Sequence, residues 1–266
     1  MSVNASLKNL WTGLLIATLL PTAVLGQVTD VSHDIAPTGT LRAVINVGNP
    51  ILARRASPLD EPTGVSVDLA TALAQRLNLP LKLITVDSAA RSVESVTQGD
   101  ADIGFFAIDP VRGQGITFTP AYVLIEGSYL VKKDSRITDN KQVDQVNHRV
   151  VVGKGSAYDL YLTRELKEAQ LVRAPTSPMV VPFFQDGAYD VAAGVKQQLE
   201  ADAQKFDGLR LLPGRFMVIE QAMGQPQQTS ARARQTVTDF LADMKSNGFI
   251  RDSLVKHQIH GASIAP

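Results

Sequence analysis

Arg112 is the residue of this chain best placed to do chemistry. It lies within a segment, GDADIGFFAIDPVRGQGITFTPAY over 99–122, that reads as a helix stop, a buried strand and a capped turn. Gly99 suits the position just past a helix, where φ is often positive. Asp102 is followed by an unbroken apolar run, Ile103 to Ile108, as in a strand buried on both faces. Asp109 before Pro110 reads as an N-cap followed by proline at the first helical position. A guanidinium in such a first turn, beside unpaired backbone N–H groups, can hold a carboxylate through two parallel hydrogen bonds. The spacing predicts an anion pocket. Asp109 itself is read as a cap rather than a ligand contact.

Other candidates are weaker. Gly153-Lys154-Gly155-Ser156 lacks the Gly-Lys-Ser/Thr order of a phosphate-binding loop, so it reads as a strand-to-helix turn with Ser156 near a ligand. Phe105 and Phe106 are neighbours in one strand, so at most one side chain should line a cleft. His33 and His148 are isolated. His257 and His260 are spaced i, i+3 in an expected terminal helix without an evident third ligand, so no metal site is assigned. No nucleophile–base arrangement is visible, and neither a catalytic residue nor a cofactor is assigned.

The elements that must position Arg112 alternate between strand and helix. Leu41–Val47 reads as a strand, Arg54–Thr63 as an exposed loop, and Gly64–Val67 leads into a helix carrying Leu69, Leu73 and Leu77 at i, i+4, i+8. Strand 81–86 and helix 89–98 follow. A second series begins at His148, with strands over 149–152, 171–173 and 189–193. Its helices span 157–168 and 196–204, and Ser177-Pro178 is read as a further cap. The tail is helical over 230–246, with His257 and His260 beyond it. Such alternation predicts an α/β fold with mostly parallel sheets flanked by helices. Two series and a helical return predict two lobes, 39–124 with 220–266 and 125–219, joined by a two-strand hinge. The cleft between them becomes the ligand site.

The chain has 266 residues, no cysteine and zero formal net charge, which gives no case for nucleic-acid binding. Residues 1–26 read as a secretory signal cut after Gly26, with a polar linker over 27–38. The competing reading, a single membrane anchor, suffers from an apolar run short of the ~20 residues a span needs. Without cysteine there is neither a lipoprotein anchor nor a disulfide, and the expected location is a bacterial periplasm.

Three segments in this order, GVSVDLATALAQRLNLPLKLI, the 99–122 segment and HRVVVGKGSAYDLYL, resemble the bacterial extracellular solute-binding proteins of family 3. These are periplasmic receptors of polar amino acid ABC importers. The resemblance, over about 39–249, implies a type II periplasmic-binding-protein fold, a monomer and a membrane permease as partner. It also implies that Arg112 clamps a ligand carboxylate, helped by backbone N–H groups near Ala107 and near Ser156 and Ala157. The family's acid for a ligand ammonium has no counterpart here: the matching positions are Asn46 and Val195. Family aromatic walls fall at Asn49 and Ala89. The resemblance therefore implies an organic acid, or an amino acid derivative without a free ammonium. Glu126 and Glu220, in the hinge segments, are the acids that could still receive a cation. Two alternatives use the same site. One is an enzyme similar to periplasmic cyclohexadienyl dehydratases, with Glu126 or Glu220 as general acid. The other is a ligand sensor for a membrane receptor.

Overall fold

The structure, a computed structural model, describes Met1 and residues 31–266. The expected signal segment, apart from Met1, and the first part of the expected linker lie outside the described residues. The rest of that linker is not a linker. Helix α1 (Val31–Ile35) buries Ser32 and Ile35, and Asp34 accepts a hydrogen bond from Ser230.

The first half runs β1 (Leu41–Asn46), α2 (Val65–Arg76), β2 (Leu81–Val86), α3 (Ala89–Thr97), β3 (Ile103–Ala107) and β4 (Ile116–Phe118). Leu69 and Leu73 of α2 are fully buried, as their spacing requires. The Arg54–Thr63 loop is pinned at its ends by two backbone hydrogen bonds of 2.8 Å. Helix α3 starts at Ser88, whose hydroxyl accepts the Arg91 N–H, and stops at Gly99 with φ of 80°. There the N–H of Gly99 bonds the Val96 carbonyl and that of Asp100 the Ser95 carbonyl, a Schellman ending that delivers the chain into β3.

Strand β5 (Val123–Lys132) leads to the second half: β6 (Arg149–Gly153), α4 (Ala157–Glu165), β7 (Gln170–Ala174), α5 (Val180–Asp186), β8 (Val191–Val195), α6 (Lys196–Lys205) and β9 (Leu209–Leu211). Helix α4 ends three residues earlier than expected, and β8 begins two residues later. The cap before α5 is Thr176 rather than Ser177, and a 3-10 turn over Ser177–Met179 precedes the short helix that holds Pro182. Strand β10 (Met217–Pro226) returns to the first half. Helices α7 (Ala231–Ser246) and α8 (Phe249–Lys256) and strand β11 (Ser263–Ile264) complete the chain.

The strand order is β2-β1-β3-β10-β5-β8-β6-β7. The outer strands are parallel, β2-β1-β3 on one side and β8-β6-β7 on the other. The middle is antiparallel, so the strands form one continuous mixed sheet where two mostly parallel ones were expected. Strand β10 pairs with β3 through Gln221–Gly224 and with β5 through Met217–Gln221. Strand β5 goes on to pair with β8 through Gly127–Leu130. These two ten-residue strands carry the chain between the halves. The buried apolar residues form separate clusters on each half, one around α2 and α7 and another around Val150, Val152, Tyr158 and Leu162. The large apolar interiors lie on either side of the crossing strands, which leaves the strand ends free to frame a cavity.

Candidate functional site

All five residues of β3 are buried. The chain then turns sharply: Asp109 Oδ1 accepts the Val111 N–H at 2.8 Å, and the Asp109 carbonyl accepts the Gly113 N–H at 2.9 Å. The helix expected after Pro110 is only a three-residue 3-10 turn, Arg112–Gln114. The positive charge of the place therefore comes from Arg112 rather than from a helix terminus. Arg112 is 4 % exposed. Its Nη1 donates to the Ala107 carbonyl at 3.0 Å, and its Nη2 to the Gly155 carbonyl at 3.0 Å. One carbonyl comes from each half. Among the described residues, no carboxylate pairs with it. Burial pushes its pKa down to about 10, with the Asp109 charge opposing the shift, so it remains charged at neutral pH.

The opposite wall is the turn between β6 and α4. Gly155 has φ of 69°, a conformation that favours glycine. Its N–H donates to Asp159 Oδ2 at 2.8 Å, and Asp159 is held in turn by Arg173 Nε at 3.0 Å. Ser156 caps α4, accepting the Asp159 N–H at 3.0 Å. The two halves meet here closely. A Cβ on Gly155 would lie 3.1 Å from that of Ala90 in α3. Arg164 of α4 reaches Asp109 at 2.9 Å. Asp109 is thus not the N-cap that the sequence indicates, since the 3-10 turn starts after Val111; its side chain instead closes the turn through the Val111 N–H and pairs with Arg164.

Between these walls lies a cavity of about 60 Å³. Asn46, Asn49, Phe105, Ala107, Arg112, Ser156, Ala157 and Val195 all line it, as does Ala89. Phe105 and Phe106 both border it, and their rings pack on different neighbours, Phe105 on Tyr122 and Phe106 on Phe118, in keeping with strand alternation. Glu126 does not belong to the site. Its carboxylate is taken by Lys196 at 3.0 Å and Arg215 at 2.7 Å, and it lines no part of the cavity. Glu220 is exposed on β10 and lines none of it either.

Three of the residues that sequence reasoning missed lie on α6. Gln198, Leu199 and Asp202 join Val195 in the cavity wall. Their i, i+3, i+4, i+7 spacing from Val195 was the available signal, one face of a helix that starts in the site. Asp202 is 5 % exposed, and it is already partnered by Gln198 at 2.8 Å and Lys205 at 3.4 Å. Gln221, Tyr158 and Ser177 complete the polar lining.

The histidines lie elsewhere. Helix α8 ends at Lys256, so His257 and His260 share no helical face, and His257 pairs with Asp68 at 2.9 Å. Among the described residues, no three His, Cys, Asp or Glu side chains are grouped to hold a metal, and no helix is long and apolar enough to cross a membrane.

The profile of the bacterial extracellular solute-binding proteins, family 3, matches residues 48–257. The amino-acid-binding protein AabA of Dichelobacter nodosus is 25% identical over 201 residues, covering 73% of this chain and 78% of its own. Among solved structures, the solute receptor for L-cysteine of Neisseria gonorrhoeae superposes with a TM-score of 0.74 at 21% identity, over 86% of this chain and 94% of that one. The ancestral amino acid-binding protein AncCDT-1, a precursor of cyclohexadienyl dehydratase, gives 0.71 at 18% identity over 85% and 97%. The fold is that of a type II periplasmic binding protein, as its sequence implied.

Proposed function

Because the chain belongs to family 3 of the bacterial extracellular solute-binding proteins, we propose that it captures a small carboxylate-bearing solute in the periplasm and presents it to the permease of an ABC importer. The observation that carries this reading is Arg112, a buried guanidinium whose partners among the described residues are two carbonyls, one from each half. A desolvated charge without a counter-ion is costly, and a carboxylate in the cavity removes that cost. Its arrival gives both halves a shared contact, so solute binding shifts the population toward the closed form. The lobes we assign are 39–124 with 220–266, and 125–219, with β5 and β10 as the hinge, and the working unit is a monomer.

The solute is an organic acid or an amino acid derivative without a free ammonium. Support comes from the neutral residues at Asn46, Asn49 and Val195, and from Asp202 being already matched by Lys205. Binding without turnover is the reading we favour. The acids a dehydratase would need, Glu126 and Glu220, are paired or exposed away from the cavity.

Thermal-shift screening of amino acids against hydroxy, keto and aromatic acids tests both parts. The expected result is stabilisation by a non-amino carboxylate that disappears in Arg112→Ala. Strong stabilisation by lysine or glutamine sinks the organic-acid reading. Turnover of prephenate sinks the binding-only reading.

A further inference from the structure

Gln221 lies in the middle of β10, is 4 % exposed and lines the cavity. On this strand Ile219 and Gln221 border the cavity, whereas Glu220 and Ala222 do not, so one strand face reaches it through its side chains. The register agrees. Gln221 stands opposite Ala107 of β3, and directly opposed residues project on the same side of a sheet. Ala107 borders the cavity as well, and its carbonyl holds Arg112 Nη1. The Gln221 side chain therefore starts one strand away, about 5 Å, from the residue that anchors the guanidinium. Other polar side chains of the wall already have partners. The Asn46 Oδ1 accepts the Gly48 N–H at 2.9 Å, Gln198 Nε2 donates to Asp202 at 2.8 Å, and the Tyr158 hydroxyl donates to Ser177 Oγ at 2.9 Å. Gln221 differs. Among the described residues its amide has no hydrogen-bond partner, and neither of its polar atoms is sealed from water. A polar side chain this deeply buried in a cavity wall is matched by what the cavity holds.

From this geometry we infer that Gln221 is a specificity-determining residue whose amide hydrogen-bonds a neutral group of the solute that both donates and accepts, a hydroxyl or a carboxamide. The inference rests on the reading of Arg112 as the carboxylate clamp and adds the second point of recognition. The side-chain Oε1 accepts and Nε2 donates, so a group with both capacities satisfies the amide fully. An apolar group in its place leaves both atoms unpaired in a dry cavity. An ammonium is served no better: it offers Nε2 no acceptor, and an uncharged amide cannot balance its charge. The nearby acid, Asp202, is held by Gln198 and Lys205. The solute class is therefore a monocarboxylate that carries a hydroxyl or a carboxamide within a few atoms of its carboxylate.

The test is calorimetric titration with matched compounds at two sizes. The smaller set is propanoate, lactate and L-alanine. The larger is 4-methylpentanoate, its carboxamide isostere succinamate, and L-asparagine. The expected result is that lactate, succinamate or both bind about tenfold or more tightly than the matched apolar acid. Gln221→Met, which keeps the length of the side chain and removes its amide, should erase that preference while leaving binding dependent on Arg112. Gln221→Glu should shift preference toward the free L-amino acid of the same set, which an unfolded or merely loosened variant cannot do. Arg112-dependent binding with no preference for the polar acids, or with one that survives Gln221→Met, overturns the inference and leaves the clamp intact. Preference of the wild type for the free amino acid overturns it as well. Failure of every acid to bind overturns both the inference and the clamp.

Discussion

Asp109 and Arg164 pair across the cleft, with Nη2 and Oδ2 2.9 Å apart. The acid is almost fully buried and the arginine is 40 % exposed. Asp109 is thereby tied at once to the turn that carries Arg112 and to the helix whose start faces it. An ion pair this open to solvent contributes about 1 kcal/mol or less, and salt screens it. If it helps to hold the halves shut, Arg164→Gln weakens solute affinity a few-fold at low salt, and the difference narrows near 1 M salt. Titration calorimetry at the two ionic strengths reads this. Equal affinities at both would mean that the pair contributes nothing to closure.

Arg112 makes a prediction about pH. Its pKa is depressed to about 10 by burial, and a carboxylate held against it, as proposed, would raise it again. The complex therefore holds the proton more tightly than the free protein does. Affinity should be flat between pH 7 and 9 and fall about tenfold per unit above 10. The folding term has the opposite sign. The unfolded chain keeps this proton to higher pH, so the charge penalises the ligand-free fold below pH 10, and the penalty fades above it. Arg112→Ala should lower affinity by roughly a hundredfold, as expected for a charged hydrogen-bonding anchor. Affinity that ignores both the substitution and alkaline pH would remove Arg112 from recognition.

Much of this arrangement is legible in the chain because local chemistry fixes it. The Schellman ending at Gly99, the serine caps of α3 and α4, and the all-apolar β3 follow from single residues and short spacings. These alone place Arg112 and Ser156 at strand ends. What sequence cannot yield is long-range partnership. Glu126 reads as a cleft acid by its position in the hinge, but Arg215, 89 positions away, and Lys196 neutralise it. Arg164 shows no signal of its link to Asp109, since cross-cleft contacts leave no periodicity. Asp202 does show one, on a mostly polar helix whose cavity face emerges only when the i, i+3, i+4, i+7 spacing from Val195 is aligned.

Gly155 offers a test of how closely the halves must meet. Its φ of 69° costs an L-residue on the order of 1 kcal/mol, and a new Cβ would press on Ala90 at 3.1 Å. Gly155→Ala should lower stability by about that amount. It should also weaken solute binding severalfold, because the added methyl group resists closure and displaces the carbonyl that Arg112 uses. Combining it with Ala90→Gly should restore affinity but not stability, since glycine within α3 costs about 1 kcal/mol of its own. Affinity unaffected by either variant would show that the bound form does not bring these two positions together.

Glu126 gives the control for acid chemistry. Arg215, then Lys196, holds its carboxyl below the usual glutamate range, so its contribution is present above the ordinary glutamate pKa and fades as pH falls through the lowered value. Arg215 is 53 % exposed and Glu126 30 %, which limits the pair to about 1 kcal/mol or less. Glu126→Gln should therefore melt slightly below the wild type at pH 7, and the gap should close toward pH 3. Solute affinity and the ranking of hydroxy acids against amino acids should not move, because the carboxylate lies outside the cavity. A ranking that shifts in this variant would return Glu126 to the site as the group that reads a ligand cation.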